Sequence, residues 1–97
     1  MVRDTTRIEQ ILSAYARPVF LTITEPDADN DIQIIISCIA FKTMKISDRI
    51  SYVFDLFRKH IPDVMKDRLI IIQAYDPYEM EEVLNNIYIP EIYGENG

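Results

Sequence analysis

Ile8, Ile11, Leu12 and Tyr15 recur at three- and four-residue steps within TRIEQILSAYARP, the period of a helix with one apolar face. Thr6 followed three residues later by Glu9 forms a capping-box pattern at its start, and Pro18 stops the run. The step then shortens to two. PVFLTIT alternates and is rich in β-branched residues, and IQIIISCIAF is a long β-branched apolar run that reads as a second strand. EPDADND therefore joins two strands. SDRISYVFDLFRKHIP returns to the helical step, with Ser47 as N-cap, Ile50, Val53, Phe54 and Phe57 on one face, and Pro62 biasing Ile61 out of helical geometry. RLIIIQAY predicts a third strand, apolar on both faces and hence read as central or covered. In DPYEMEEVLNNI, Asp76 is the N-cap, Pro77 takes the first helical position and Glu79 completes a capping box, while Met80, Val83, Leu84 and Ile87 share one side.

The order α-β-β-α-β-α predicts an α+β fold. Hairpin and crossover rules turn it into a small three-stranded mixed sheet with helices packed on one face. A chain of 97 residues is one domain's worth, and it shows no repeat, linker or low-complexity tract. In the tail YIPEIYGENG, residues 89–97, Ile89, Ile92 and Tyr93 lie beyond the last expected helix, and GENG is expected to fray. Those three apolar residues need a surface, either the parent domain or a homodimer interface.

Composition narrows the class. With 48% hydrophobic and 27% charged residues the chain is globular rather than disordered. The N-terminal MVRDTTRIEQ has no hydrophobic signal region and no apolar stretch is long enough to span a membrane, so a cytoplasmic location is expected. Cys38, the single cysteine, has no internal disulfide partner, which fits a reducing compartment. A net charge of −6 argues against general nucleic-acid binding, whose affinity comes largely from phosphate neutralisation.

The charges are also segregated. Between residues 42 and 68 lie Lys42, Lys45, Arg49, Arg58, Lys59, Lys66 and Arg68 against Asp48, Asp55, Asp63 and Asp67, and from Leu69 onward every charge is acidic. A chain so polarised is able to dock a basic partner or pair with itself, although charge runs are most often simply solvated. Lys42, Lys45, Arg49 and Arg68 are read as an exposed basic set that forms a partner surface.

Candidate chemistry thins out under inspection. Asp27, Asp29 and Asp31 fall at the first, third and fifth positions of a calcium-loop pattern, but Ile32 stands where Gly is required and Cys38 where a bidentate Glu is required. That excludes an EF-hand. Weak surface binding of a hard divalent cation stays open, while Pro, Asp and Asn also make turns for local reasons, and a polar connection is the reading adopted. Gly94 and Gly97 are the only glycines, so no loop exists to cradle a phosphate. His60 ends the second helix, where a cationic ring suits the helix dipole. Cys38 reads as a buried thiol sharing a strand face with Ile34, Ile36 and Ala40. Glu81 and Glu82 point about 100° apart on a helix and make no catalytic pair. No constellation combines nucleophile, base and oxyanion donor, so no enzymatic activity and no cofactor are expected.

The element order and several motifs resemble the BolA-like family, a fold akin to the type II KH domain, over Ile8 to Val83. RIEQIL matches the family's leading helix, LTITEPDADN its strand ending in an acidic turn, FKTMKISDRISYV its Phe–apolar–Arg pattern through Phe41, Met44, Arg49 and Val53, and YDPYEMEEV its last helix start through Pro77, Glu79 and Glu81. The departures bear on function. The family's Arg-His-Arg at the second helix reads Arg49, Ile50, Ser51, and its characteristic His opening the third strand falls on Arg68. In the family that His, with a Cys or His of the first hairpin loop, helps hold a two-iron, two-sulfur cluster shared with a monothiol glutaredoxin. A guanidinium does not ligate iron, and carboxylates are poor substitutes for imidazole or thiolate. The resemblance thus implies a small divergent regulator or adaptor acting through protein contacts, with a monothiol glutaredoxin as the family's kind of partner and homodimerisation expected. An orphan acidic homodimer pairing with a basic partner is the alternative. A nucleic-acid-binding regulator is a second one, against which stand the missing GXXG loop, Asp48 and Asp55 on the second helix, and the net charge.

Overall fold

Two strands, β1 (Phe20–Thr24) and β2 (Ile32–Ser37), pair antiparallel with Leu21 opposite Ile36 and Ile23 opposite Ile34. The third, β3 (Ile70–Tyr75), runs parallel to β2 and sets Ile70, Ile72 and Ala74 beside Ile32, Ile34 and Ile36. A computed structural model of the chain describes residues 3–25, 31–66 and 68–96, with side chains through residue 86. In it helices α1 (Asp4–Tyr15), α2 (Ile46–His60) and α3 (Pro77–Asn96) accompany the sheet, giving the expected α-β-β-α-β-α order and a mixed three-stranded sheet.

The period-two pattern sends alternate residues to opposite faces, and only one face carries the core. Ile32, Ile34 and Ile36 are fully buried together with Ile8 and Leu12 of α1 and Val53 and Phe57 of α2. On the other face the ladder reads Thr24–Gln33–Ile71 and Thr22–Ile35–Gln73, largely polar and uncharged. The sheet order β1-β2-β3 corrects one expectation: β2 is central, and β3 is an edge strand with Ile71 38% exposed. The crossover through α2 carries β3 to the free side of β2, since β1 already occupies the other.

Four boundaries also differ. α1 begins at Asp4 with Arg3 in the cap position, so Thr6 and Glu9 lie inside the helix and do not form its capping box. β2 ends at Ser37 rather than continuing to Phe41. Cys38 opens a 3₁₀ turn, Ile39–Thr43, that tucks Phe41 into the core and leaves Ala40 exposed, off the face it was expected to share with Cys38. α2 starts before Ser47, with Lys45 in the cap position. Finally α3 continues past Ile87 to Asn96, so the positions read as a non-helical tail, Ile89, Ile92 and Tyr93 included, belong to a helix. Their side chains, and loop residues 26–30, lie outside the described residues. The α3 start matches its capping box: Asp76 N–H donates to Glu79 Oε1 at 2.8 Å and Glu79 N–H to Asp76 Oδ1 at 2.8 Å.

Two buried polar side chains test the packing in opposite ways. Arg49, 5% exposed, is held by three hydrogen bonds: Nε donates to Met44 O at 3.0 Å and Nη1 to Ala74 O at 3.2 Å and Glu79 Oε1 at 2.5 Å, with the guanidinium 5.9 Å from the Phe41 ring centroid. It joins the start of α2, the end of β3 and the start of α3. Ser37 sits between Phe20 and Tyr75 in the ladder, fully buried, its Oγ without a hydrogen-bond partner among the described residues. Arg49→Met strands two carbonyls while Glu79, 40% exposed, regains water, so a loss smaller than that of a fully buried pair is expected, about 2 kcal/mol, or a fall in Tm of roughly 10 °C. Ser37→Ala removes an unsatisfied hydroxyl and is expected to raise stability by about 1 kcal/mol. Urea titration of both variants reads the contrast.

Candidate interaction surface

The four cations expected to form one exposed surface are divided by the fold. Lys42 and Lys45 are exposed, on the 3₁₀ turn and at the cap of α2. Arg49 is not; its burial in the knot just described corrects the expectation of exposure, because its bonding partners all lie inside the sheet–helix junction. Arg68 is separated from them by the length of β3. Ala74, which Arg49 touches, stands six residues beyond Arg68 along an extended strand, roughly 20 Å away.

At that far end Arg68 belongs to a chain of ion pairs. Its Nη1 donates to Asp4 Oδ2 at 3.2 Å and its Nη2 to Glu25 Oε2, and its side chain is 18% exposed. Glu25 also accepts from Arg3 at 3.0 Å. Asp4 lies 3.5 Å from Arg7, which grips Asp63 with both terminal nitrogens, at 2.7 and 2.9 Å. These contacts tie the end of β1 and the start of β3 to the first turns of α1, and α1 to the segment after α2. A fork meeting a carboxylate in two parallel bonds fixes orientation as well as distance.

The donor chemistry at this end does not fit an iron–sulfur cluster. The guanidinium of Arg68 is bound to two carboxylates, and the sequence between β1 and β2 contains only Glu, Pro, Asp, Ala and Asn. The soft or imidazole donors of the chain are elsewhere. Cys38 is 1% exposed beyond the opposite end of β2, and burial pushes its thiol up to about 11, which keeps it protonated. His60 stacks on Tyr15 at 4.3 Å and 15° between planes, closing α2 against α1. Among the described residues no group of three or more His, Cys, Asp or Glu side chains is placed to hold a metal ion, and no helix is long and apolar enough to cross a membrane. The expected cation-binding question for Asp27 and Asp29 falls outside the described residues.

What the exposed lysines do have beside them is apolar surface. Lys42 Nζ lies 5.5 Å from the centroid of the Tyr78 ring, Tyr78 and Ile39 are each 68% exposed, and Ile46 is 60% exposed. Ile39 and Lys42 eclipse each other at three-residue spacing in the 3₁₀ turn. Tyr78 and Ile39 were missed by the sequence reading, because no periodicity brings a turn after β2 next to the start of α3. The concave features are small: shallow depressions of 180 Å³ between α1 and β1 and of 150 Å³ on the open sheet face, below the roughly 300 Å³ of ordinary ligand pockets.

The ion pairs set the acid response. Hydrogen bonding to Arg68 lowers the pKa of Glu25, hydrogen bonding to Arg7 lowers that of Asp63, and the Asp76 N–H followed by Arg49 lowers that of Glu79. Each carboxylate is therefore easier to keep ionised folded than unfolded. Their contribution is complete above the ordinary values of 4.5 for Glu and 3.8 for Asp and is lost as pH falls through the depressed folded values. A Tm series at falling pH is expected to drop below that range, and Glu25→Gln with Asp63→Asn should flatten it.

No protein-family model matches this chain, and no curated protein matches it in sequence. Solved structures do. BolA1 from Arabidopsis thaliana superposes with a TM-score of 0.67 at 20% identity, covering 81% of this chain and 98% of that one. The BolA domain of SufE1 from Arabidopsis thaliana gives the same values, TM-score 0.67, 20% identity and coverage of 81% and 98%. A bol-like protein from Babesia bovis gives a TM-score of 0.68 at 18% identity, covering 84% of this chain and 94% of that one. With this element order, sheet topology and superposition, the chain has the BolA-like fold.

Proposed function

We propose that this chain is a divergent BolA-like regulator or adaptor that works through protein contacts rather than catalysis, and that it does not hold the cluster the family resemblance would otherwise suggest. The observation that carries this reading is Arg68. It stands at the opening of β3, and its guanidinium is bound to Asp4 and Glu25 where the family would present a ligating imidazole. The fold is retained and its soft donor is replaced by a structural cation.

A contact function asks for exposed, chemically mixed surface, and Lys42 and Lys45 beside Ile39, Ile46 and Tyr78 supply it. Aromatic and aliphatic anchors ringed by charge are the composition of contact surfaces. The partner class is a protein that presents carboxylates around an apolar residue. A monothiol glutaredoxin remains the candidate that the resemblance names, with contact but without a shared cluster.

Purification under reducing, iron-replete conditions is expected to give a colourless protein, and a visible absorption band from bound cluster would overturn the reading of Arg68. For the contact surface, Lys42→Glu with Lys45→Glu should abolish partner capture from lysate while Arg58→Glu, on the exposed flank of α2, should not. Capture that ignores the lysine reversal counts against this surface.

A further inference from the structure

The three-stranded sheet leaves two edges, and its ladder shows which backbone groups stand on them. Ile32 and Cys38 donate their N–H groups to Leu69 O and Tyr75 O on the β3 side, whereas Val19 N–H donates to Ser37 O. Even positions of β2 therefore bond toward β3 and odd ones toward β1. In the antiparallel register the odd positions face Phe20, Thr22 and Thr24, so the N–H and C=O groups of Leu21 and Ile23 point away from the sheet. No hydrogen bond among the described residues satisfies them.

The opposite edge is closed at one end. By the same alternation β3 turns the backbone groups of Ile70, Ile72 and Ala74 outward, where Ile70 is buried and Ala74 O accepts from Arg49. β1 has no such cap, and Phe20–Thr24 carries neither a charge nor a proline to discourage pairing.

A helix walls this free edge. α1 ends shortly before β1 begins, and Arg3 at its start bonds Glu25 just past the end of β1, so helix and strand lie side by side in opposite senses. Between them is the 180 Å³ depression, lined by Thr5, Thr6 and Glu9 of α1 and by Leu21 and Ile23. That is room for a side chain, not for a helix or an ordinary small-molecule ligand. Thr6 and Glu9 are exposed, and the side chains of Thr5, Thr6 and Glu9 make no hydrogen bond or ion pair among the described residues. A free carboxylate thus stands beside an unpaired strand.

We propose that β1 and α1 together bind an extended peptide segment, which adds to the sheet beside β1 and carries a Lys or Arg over Glu9. Outward N–H and C=O groups at strand spacing are matched by another extended backbone, and main-chain bonds to Leu21 and Ile23 hold it. Alternate side chains then select the segment. Those on one face enter the depression, where apolar groups meet Leu21 and Ile23 and a cation meets Glu9; those on the other face stand beside Thr22. The net charge of −6 favours a basic ligand at longer range. Lys42 and Tyr78 lie across the sheet, by the end of β3, so this is a second contact surface, independent of the lysines and of opposite charge preference.

Titration of the isotope-labelled full chain with the peptides acetyl-TVTKTVT-amide and acetyl-TVTETVT-amide, followed by NMR, tests it. With the lysine peptide the amide signals of Leu21 and Ile23 are expected to shift and their hydrogen exchange to slow, and binding should be about fivefold tighter than with the glutamate peptide. Glu9→Lys, at an exposed helix position, should reverse that preference. A lysine peptide N-methylated at alternate residues, unable to donate to the edge, should not bind, whereas Lys42→Glu/Lys45→Glu should leave binding unchanged. No response at Leu21 and Ile23, equal binding of the two peptides, a preference that survives Glu9→Lys, binding of the methylated peptide, or loss of binding in the lysine variant overturns the proposal. So does slow exchange at Leu21 and Ile23 in a peptide-free dimer, since a second copy then fills the edge.

Discussion

Burying one guanidinium commits the rest of this fold. A cation removed from water needs hydrogen-bond partners, and the three that Arg49 finds exist only because the turn before α2, the last residues of β3 and the first turn of α3 converge on it. That requirement links segments far apart in the chain. It also gives Glu79 two tasks, since the carboxylate that closes the capping box of α3 also pairs with Arg49. Loss of Arg49 would therefore loosen the start of α3 as well as the core beneath it.

The second consequence is a division of labour between the two ends of the parallel strand pair. At the start of β3, Arg68, Glu25, Asp4 and Arg3 are absorbed in holding the hairpin to α1. At its end, Arg49 draws inward and leaves Lys42 and Lys45 outside beside Ile39, Ile46 and Tyr78. Internal ion pairing consumes the charges at one end and spares those at the other. Exposed charge beside exposed apolar surface is therefore found around the 3₁₀ turn and the start of α3.

The relation to BolA-like structures is one of shape. Superposition reaches a TM-score of 0.67 with BolA1 from Arabidopsis thaliana at 20% identity. A packed sheet and two covering helices require only apolar residues in the right alternation, which many sequences satisfy. A metal–ligand pair requires particular atoms at particular places, so it disappears with one substitution while the scaffold stays.

Element type and order were readable from periodicity alone, because the two-residue step of Leu21 to Thr24 and Ile32 to Ile36 and the three- to four-residue step of Ile50 to Phe57 arise from local backbone geometry. Asp76 and Glu79 were readable for the same reason: a capping box is complete within four residues. Exposure of the cations was not. A charged residue is assigned to the surface by default, and only the convergence of Met44, Ala74 and Glu79 carries Arg49 into the core. The edge position of β3, the turn that ends β2 at Ser37 and the meeting of Lys42 with Tyr78 depend likewise on contacts between distant segments. Hydrophobic spacing is a property of neighbours in the chain, whereas burial of charge is a property of neighbours in space.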